Sequence, residues 1–113
     1  NAANGYTMTL NGATLTSGGN TIDAIGAVNT ASAEGTEQFG LRMTPAGGSG
    51  AVTAPYADVG YAFNSGAFPD DVASSNTASA NTTYSVIYLA NITANTEAGA
   101  YTATMTYTAT ANF

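Results

Sequence analysis

Carboxylates are the only side chains in this sequence with an ordinary capacity for acid–base chemistry. The 113 residues include no His, Cys or Lys, and the single cation is Arg42. Nucleophilic routes through Ser–His, Cys–His or a Schiff base each need a group the chain lacks. What remains is Asp70-Asp71, next to Pro69 in a loop, with Asp58 earlier in the same region. A carboxylate pair could serve a glycosidase or protease, and the same three residues could hold calcium together with backbone carbonyls. The competing reading is a solvated turn, because Pro and Asp favour turns for reasons of backbone geometry alone. That reading is preferred, so the expectation is no enzyme and no cofactor. Transition metals are less suited still without imidazole or thiolate.

Two other residue types could carry recognition or modification. Of the seven tyrosines, Tyr84, Tyr88, Tyr101 and Tyr107 fall on the inward faces of expected strands, where an aromatic is core material. Tyr56, Tyr61 and Phe68 lie nearer loops and are the candidates for an exposed sugar-binding platform. Asn81-Thr82-Thr83 and Asn91-Ile92-Thr93 match the N-glycosylation pattern. Asn81, in a loop, has more room for a glycan than Asn91, which closes an expected strand.

Composition narrows the partners. Net charge is −6 and charged residues make up 7% of the chain, so phosphate backbones would be repelled and nucleic acid is not an expected partner. No apolar run approaches the roughly 20 residues that span a bilayer, so no membrane insertion is expected. The start, Asn1-Ala2-Ala3-Asn4-Gly5, does not read as a signal peptide; if the protein is secreted this is its mature form, and a strand partner could lie upstream.

The elements that would position these residues are strands. Period-2 alternation runs almost throughout, and no segment carries a useful 3.6-residue period. Tyr6, Met8 and Leu10 share one face before Asn11-Gly12, a hairpin signal that would return the chain along Ala13–Thr16. Thr21–Val28 offers a third strand with a bulge near Gly26. In Glu37–Thr44, Phe39, Leu41 and Met43 point inward and Gln38 and Arg42 outward, and Pro45 ends the strand. Asp58–Ala62 is a short strand with Val59 and Tyr61 on one side. From Asn64 to Thr82 the pattern supports no buried element. Thr83–Ile92 has Tyr84, Val86, Tyr88 and Ile92 on one face and Ile87 and Leu89 on the other, as in a strand covered on both sides at the centre of a sheet. Finally, Tyr101, Ala103, Met105, Tyr107, Ala109, Ala111 and Phe113 alternate with threonines over a single strand of about 40 Å. The fold class expected is all-β: one immunoglobulin-like or jelly-roll-like antiparallel β-sandwich over residues 1–113, with 1–16 a donor strand or an N-terminal hairpin.

Such a chain is suited to assembly. An uncharged strand as long as Tyr101–Phe113 must be covered by another strand of the domain or by a neighbouring subunit. Without lysine, sortase linkage and isopeptide staples are excluded, and no long apolar N-terminal helix exists for type IV pilin packing. The route left is β-augmentation, with Tyr6–Leu10 as the inserted strand. Tyr6, Met8, Leu10, Tyr101, Met105, Tyr107 and Phe113 are the expected assembly residues.

Three segments carry a resemblance. Asn4-Gly5-Tyr6-Thr7-Met8-Thr9-Leu10, Gly35–Arg42 and Glu97–Tyr107 resemble the C-terminal β-domains of secreted bacterial surface proteins. Gly99-x-Tyr101 followed by alternating Thr is similar to the last strand of spore-coat-U-like and chaperone–usher pilin subunits, here without their disulfide. The resemblance implies a pilus-like or cell-surface β-sandwich with no catalytic residues to carry over. The function expected is a structural subunit of an extracellular filament or surface layer whose partner is a copy of itself. The alternative is a surface adhesin or carbohydrate-binding module.

Overall fold

Leu10 and Val72 from one sheet meet Phe39, Leu41, Met43, Ala62 and Phe63 from another, and Ile22 and Tyr56 complete this buried cluster. The computed structural model describes residues 2–57 and 59–113. It is all-β: a sandwich of two antiparallel four-stranded sheets plus a small hairpin. The strands are β1 (Tyr6–Gly12), β2 (Thr16–Ser17), β3 (Asn20–Thr21), β4 (Gly26–Thr30), β5 (Gln38–Ala46), β6 (Ala51–Val52), β7 (Tyr61–Phe63), β8 (Asp70–Ser75), β9 (Thr83–Asn91) and β10 (Met105–Ala111). A 3-10 turn, Ser65–Ala67, precedes β8. One sheet has the order β10-β1-β8-β6 and the other β4-β7-β5-β9, while β2 and β3 form the hairpin.

The alternation places side chains where the sequence expects them in β5, whose Phe39, Leu41 and Met43 are buried. Pro45 does not end this strand, which continues to Ala46, with Pro45 opposite Tyr84 of β9. The far side of β5 explains the tolerance: β7 meets β5 only at Leu41↔Ala62, so no ladder partner there needs the missing N–H. Gln38 is buried rather than outward, because its amide is consumed by the backbone of Ala31 and Ala33 and by Asn91.

Four further expectations are corrected. Asn11-Gly12 does not turn the chain; both residues lie in β1, which pairs with β10 on one side and β8 on the other. Two flanking partners hold β1 extended, and long-range pairing overrides the local turn preference. Second, the Asn64–Thr82 region contains β8, whose Val72, Ala73 and Ser75 are buried. Small side chains hid this strand, since Ala and Ser carry little hydrophobic signal yet fit under β1 and β6. Third, β9 is an edge strand and not a central one. Ile87, Tyr88 and Ile92 are exposed accordingly. Fourth, the C-terminal strand is shorter than its alternation: the ladder spans Met105–Ala111, and Thr102 makes only an isolated bridge to Thr16.

The start of β1 depends on close approach. Gly5 has φ +82°, and a Cβ there would overlap the carbonyl of Ser75, so only glycine lets the chain enter the sheet at this point. The molecule is elongated, 51 × 25 × 20 Å. Its radius of gyration is 15.4 Å, against about 13 Å for a compact chain of this length.

Candidate assembly surface

The two described candidate carboxylates, Asp70 and Asp71, are not brought together as a pair. Asp70 and Asp71 open β8, opposite Leu10 and Thr9 of β1, and successive strand residues point to opposite faces. Asp71 is exposed. The Asp70 carboxylate accepts from the Tyr56 hydroxyl at 2.9 Å and from Asn64 Nδ2 at 3.2 Å. It is therefore a structural acceptor rather than one residue of a solvated turn. Asp58, the third calcium candidate, lies outside the described residues. Among the described residues no group of three metal-ligating side chains comes together.

The aromatic platform is dismantled as well. Tyr56 is fully buried, and its hydroxyl is held well above the ordinary tyrosine pKa, first by burial and then by its bond to Asp70. Phe68 packs edge-on against Phe63, with ring centroids 5.0 Å apart. Tyr61 lies under the Arg42 guanidinium, 5.1 Å from the ring centroid, a cation–π arrangement completed by donation from Arg42 to the Val59 carbonyl. Tyr56 is out of reach of solvent, and Tyr61 and Phe68 are only partly exposed, so the three do not form one exposed platform. Of the glycosylation candidates, Asn81 is exposed, while Asn91 Nδ2 already donates to Ser32 Oγ, the Ala33 carbonyl and Gln38 Oε1. The nitrogen that would carry a glycan is the one holding that loop in place.

What the fold does bring together is the pair of open edges β9 and β10. They belong to different sheets and border the same side of the sandwich, joined where the Tyr88 and Tyr107 hydroxyls meet at 2.6 Å. A second pair, Tyr6 and Tyr84, meets at 2.7 Å and ties β1 to β9. Gly50 sits beneath that second contact, where a Cβ would strike both hydroxyls. Burial, followed by the bond to its partner tyrosine, raises the pKa of both Tyr107 and Tyr84.

On one side of the Tyr88–Tyr107 contact an apolar groove of about 450 Å³ opens between the edges, lined by Leu15, Phe39, Tyr88, Ala90, Ala103 and Met105. Its origin is local: Ala90 and Ala103 are too small to fill the gap, and the chain from Tyr101 to Thr104 has left the ladder. Phe39 forms part of it, stacked against Tyr88 with centroids 6.2 Å apart. On the other side a second groove of about 350 Å³ runs past Met8, Tyr84 and Ala109 to the Ser79–Thr82 loop.

Three of the expected assembly residues border these grooves directly: Tyr6, Met8 and Met105. Tyr107 joins them through its bond to Tyr88. Leu10 does not, being fully buried in the core. Tyr101 turns its hydroxyl to the Glu97 carbonyl, and Phe113, past the end of β10, is 92% exposed. Of six exposed large apolar residues, Ile87, Tyr88, Ile92 and Phe113 lie on or just beyond the two edges, which concentrates stickiness there rather than over the whole surface. The tyrosine pairs were beyond sequence reasoning. Their only signal was Tyr84 and Tyr88 sharing a face four residues apart.

No protein-family model matches the chain, and no curated protein or solved structure matches it either.

Proposed function

We propose that this chain is a structural subunit of an extracellular filament or cell-surface layer, held non-covalently to copies of itself by β-strand pairing. One observation carries the reading: two long edge strands, β9 and β10, border the same side of the sandwich, each with a ladder partner on one side alone among the described residues, and neither holds a charged residue. From Val72 to Phe113 the only charged residue is Glu97. Proteins that stay monomeric blunt such edges with lysine, inward charges, proline or short strands. None of these devices protects β9, which has nine residues, or β10, which has seven. Undefended edges of this length are suited to receive a strand of the same kind, with backbone hydrogen bonds supplying affinity and alternating pockets supplying register. Because β1 is already paired on both sides within its own chain, the contact runs edge to edge between copies rather than by donation of β1.

Ile87 and Thr108 are exposed residues on the two edges, and Ile87 lies opposite Arg42 of β5, so a glutamate there is tolerated within the chain. In the variant Ile87→Glu/Thr108→Glu, like charges oppose each other across any edge-to-edge contact, and self-association should weaken by roughly 100-fold. Sedimentation velocity and negative-stain imaging read this, with circular dichroism confirming an unchanged fold. Filaments that persist in the double variant, or a wild type that stays monomeric at millimolar concentration, would refute the assignment.

A further inference from the structure

Four of the seven tyrosines are spent in two hydroxyl contacts, and both contacts bind β9 to the opposite sheet: Tyr84 to Tyr6 at 2.7 Å and Tyr88 to Tyr107 at 2.6 Å. The second contact lies beside the open groove, and Tyr88 is 45% exposed. The chain has no Cys for a disulfide and no Lys for an isopeptide. Tyrosine ring carbons are the atoms left that readily cross-link one strand to another. We propose that Tyr88 and Tyr107 form an oxidative cross-linking site, at which a haem-peroxidase-class catalyst using hydrogen peroxide joins the two rings by a carbon–carbon bond and fastens the two sheet edges together.

The chemistry closes. Each phenol gives up one electron and one proton and becomes a phenoxyl radical. The radicals combine at ring carbons ortho to the oxygens, forming one carbon–carbon bond. The hydrogen on each coupled carbon then moves as a proton to its own oxygen, restoring both aromatic rings. Two electrons and two protons have left the pair, and with two further protons' worth of hydrogen already in the peroxide, one hydrogen peroxide is reduced to two waters. Each ortho carbon lies two bonds from its hydroxyl oxygen, so the 2.6 Å oxygen contact keeps the two coupling positions in one another's neighbourhood, and the side chains must swing past that contact to bring the ring edges together. Preorganisation of this kind favours the internal reaction over coupling between molecules. The product would close the loop between residues 88 and 107, removing freedom from the unfolded chain as a disulfide does. The site is read on the monomer and does not depend on the assembly proposal.

The experiment treats dilute, monomeric wild-type protein with hydrogen peroxide and a haem peroxidase. The expected product remains monomer-sized, is lighter by two hydrogen atoms, shows biphenol fluorescence and yields a peptide joining Tyr88 to Tyr107. Its thermal midpoint rises by roughly 10 °C. Tyr88→Phe and Tyr107→Phe should each lower the yield of monomeric product by about tenfold, while Tyr101→Phe leaves it unchanged. Wild-type protein unfolded in urea supplies an arm that no folding defect in a variant can confuse: there the selectivity for this pair should vanish. Equal yields of the 88–107 peptide from folded and unfolded chains, cross-links that leave out the 88–107 pair, or coupling only between molecules would each overturn the proposal.

Discussion

Tyr56 shows how a residue that looks like a surface contact becomes a core fixture. Its ring is fully buried, and its hydroxyl donates to Asp70 while receiving the Asn64 amide N–H at 3.4 Å. Asp70→Ala removes the acceptor and leaves a buried hydroxyl under-satisfied, which should cost about 2 kcal/mol of stability; a urea unfolding midpoint measures it. Tyr56 and Tyr107 both have pKa values raised above the ordinary tyrosine range, by burial first and by their hydrogen-bond partners second. The unfolded chain therefore ionises before the folded one. Stability from these groups is whole below about pH 10 and is lost as pH rises through the folded-state values. The expected result is alkaline unfolding that sets in above about pH 10, with a shallower pH dependence in Tyr107→Phe because one fewer proton is held by the native state. An identical slope in that variant would contradict the assignment.

Among the strands, β8 and β9 exchange the roles their sequences suggest, and hydrogen exchange distinguishes the two arrangements. β8 lies between β1 and β6, so its buried Val72, Ala73 and Ser75 should carry amides among the slowest to exchange. Among the described residues β9 has a ladder partner only in β5, and about every second β9 amide should exchange freely in the monomer. Those same amides should become protected in assembled material, and continued fast exchange there would argue that β9 is not the contact. Much of the fold was legible from periodicity: β1, β5, β9 and β10 all follow alternating segments, and the inward set of β5 is the one observed. Pairing was not legible, because Asn11-Gly12 specifies a turn only when no longer-range partner competes for the strand. β8 escaped because Asp-Asp-Val-Ala-Ser-Ser offers one large apolar side chain, Val72. The candidate surface was half visible: alternation marks Tyr84, Tyr88 and Tyr107 as sharing strand faces, but only the stacking of the sheets brings the hydroxyls together.

At the level of the whole molecule, the placement of the edges decides what an assembly can look like. β9 and β10 border the same side of the sandwich, through the Tyr88–Tyr107 contact, and the strand orders put β4 and β6 at the opposite edges. Two copies meeting through their β9/β10 sides can share one two-fold axis, and such a contact closes on itself as a dimer. Growth into a filament then needs a second contact, and the opposite side offers β4, whose Val28 is 74% exposed. β6 has only two residues and adds little edge of its own. The dimer should thus precede any longer species as concentration rises. A charge at Val28 separates the two contacts: Val28→Glu should arrest assembly at the dimer, whereas Ile87→Glu/Thr108→Glu should leave monomers. Mass photometry across a concentration series distinguishes these outcomes directly. Filaments of normal length from Val28→Glu would show that growth does not use β4, and monomers from that variant would show that the first contact is not confined to β9 and β10.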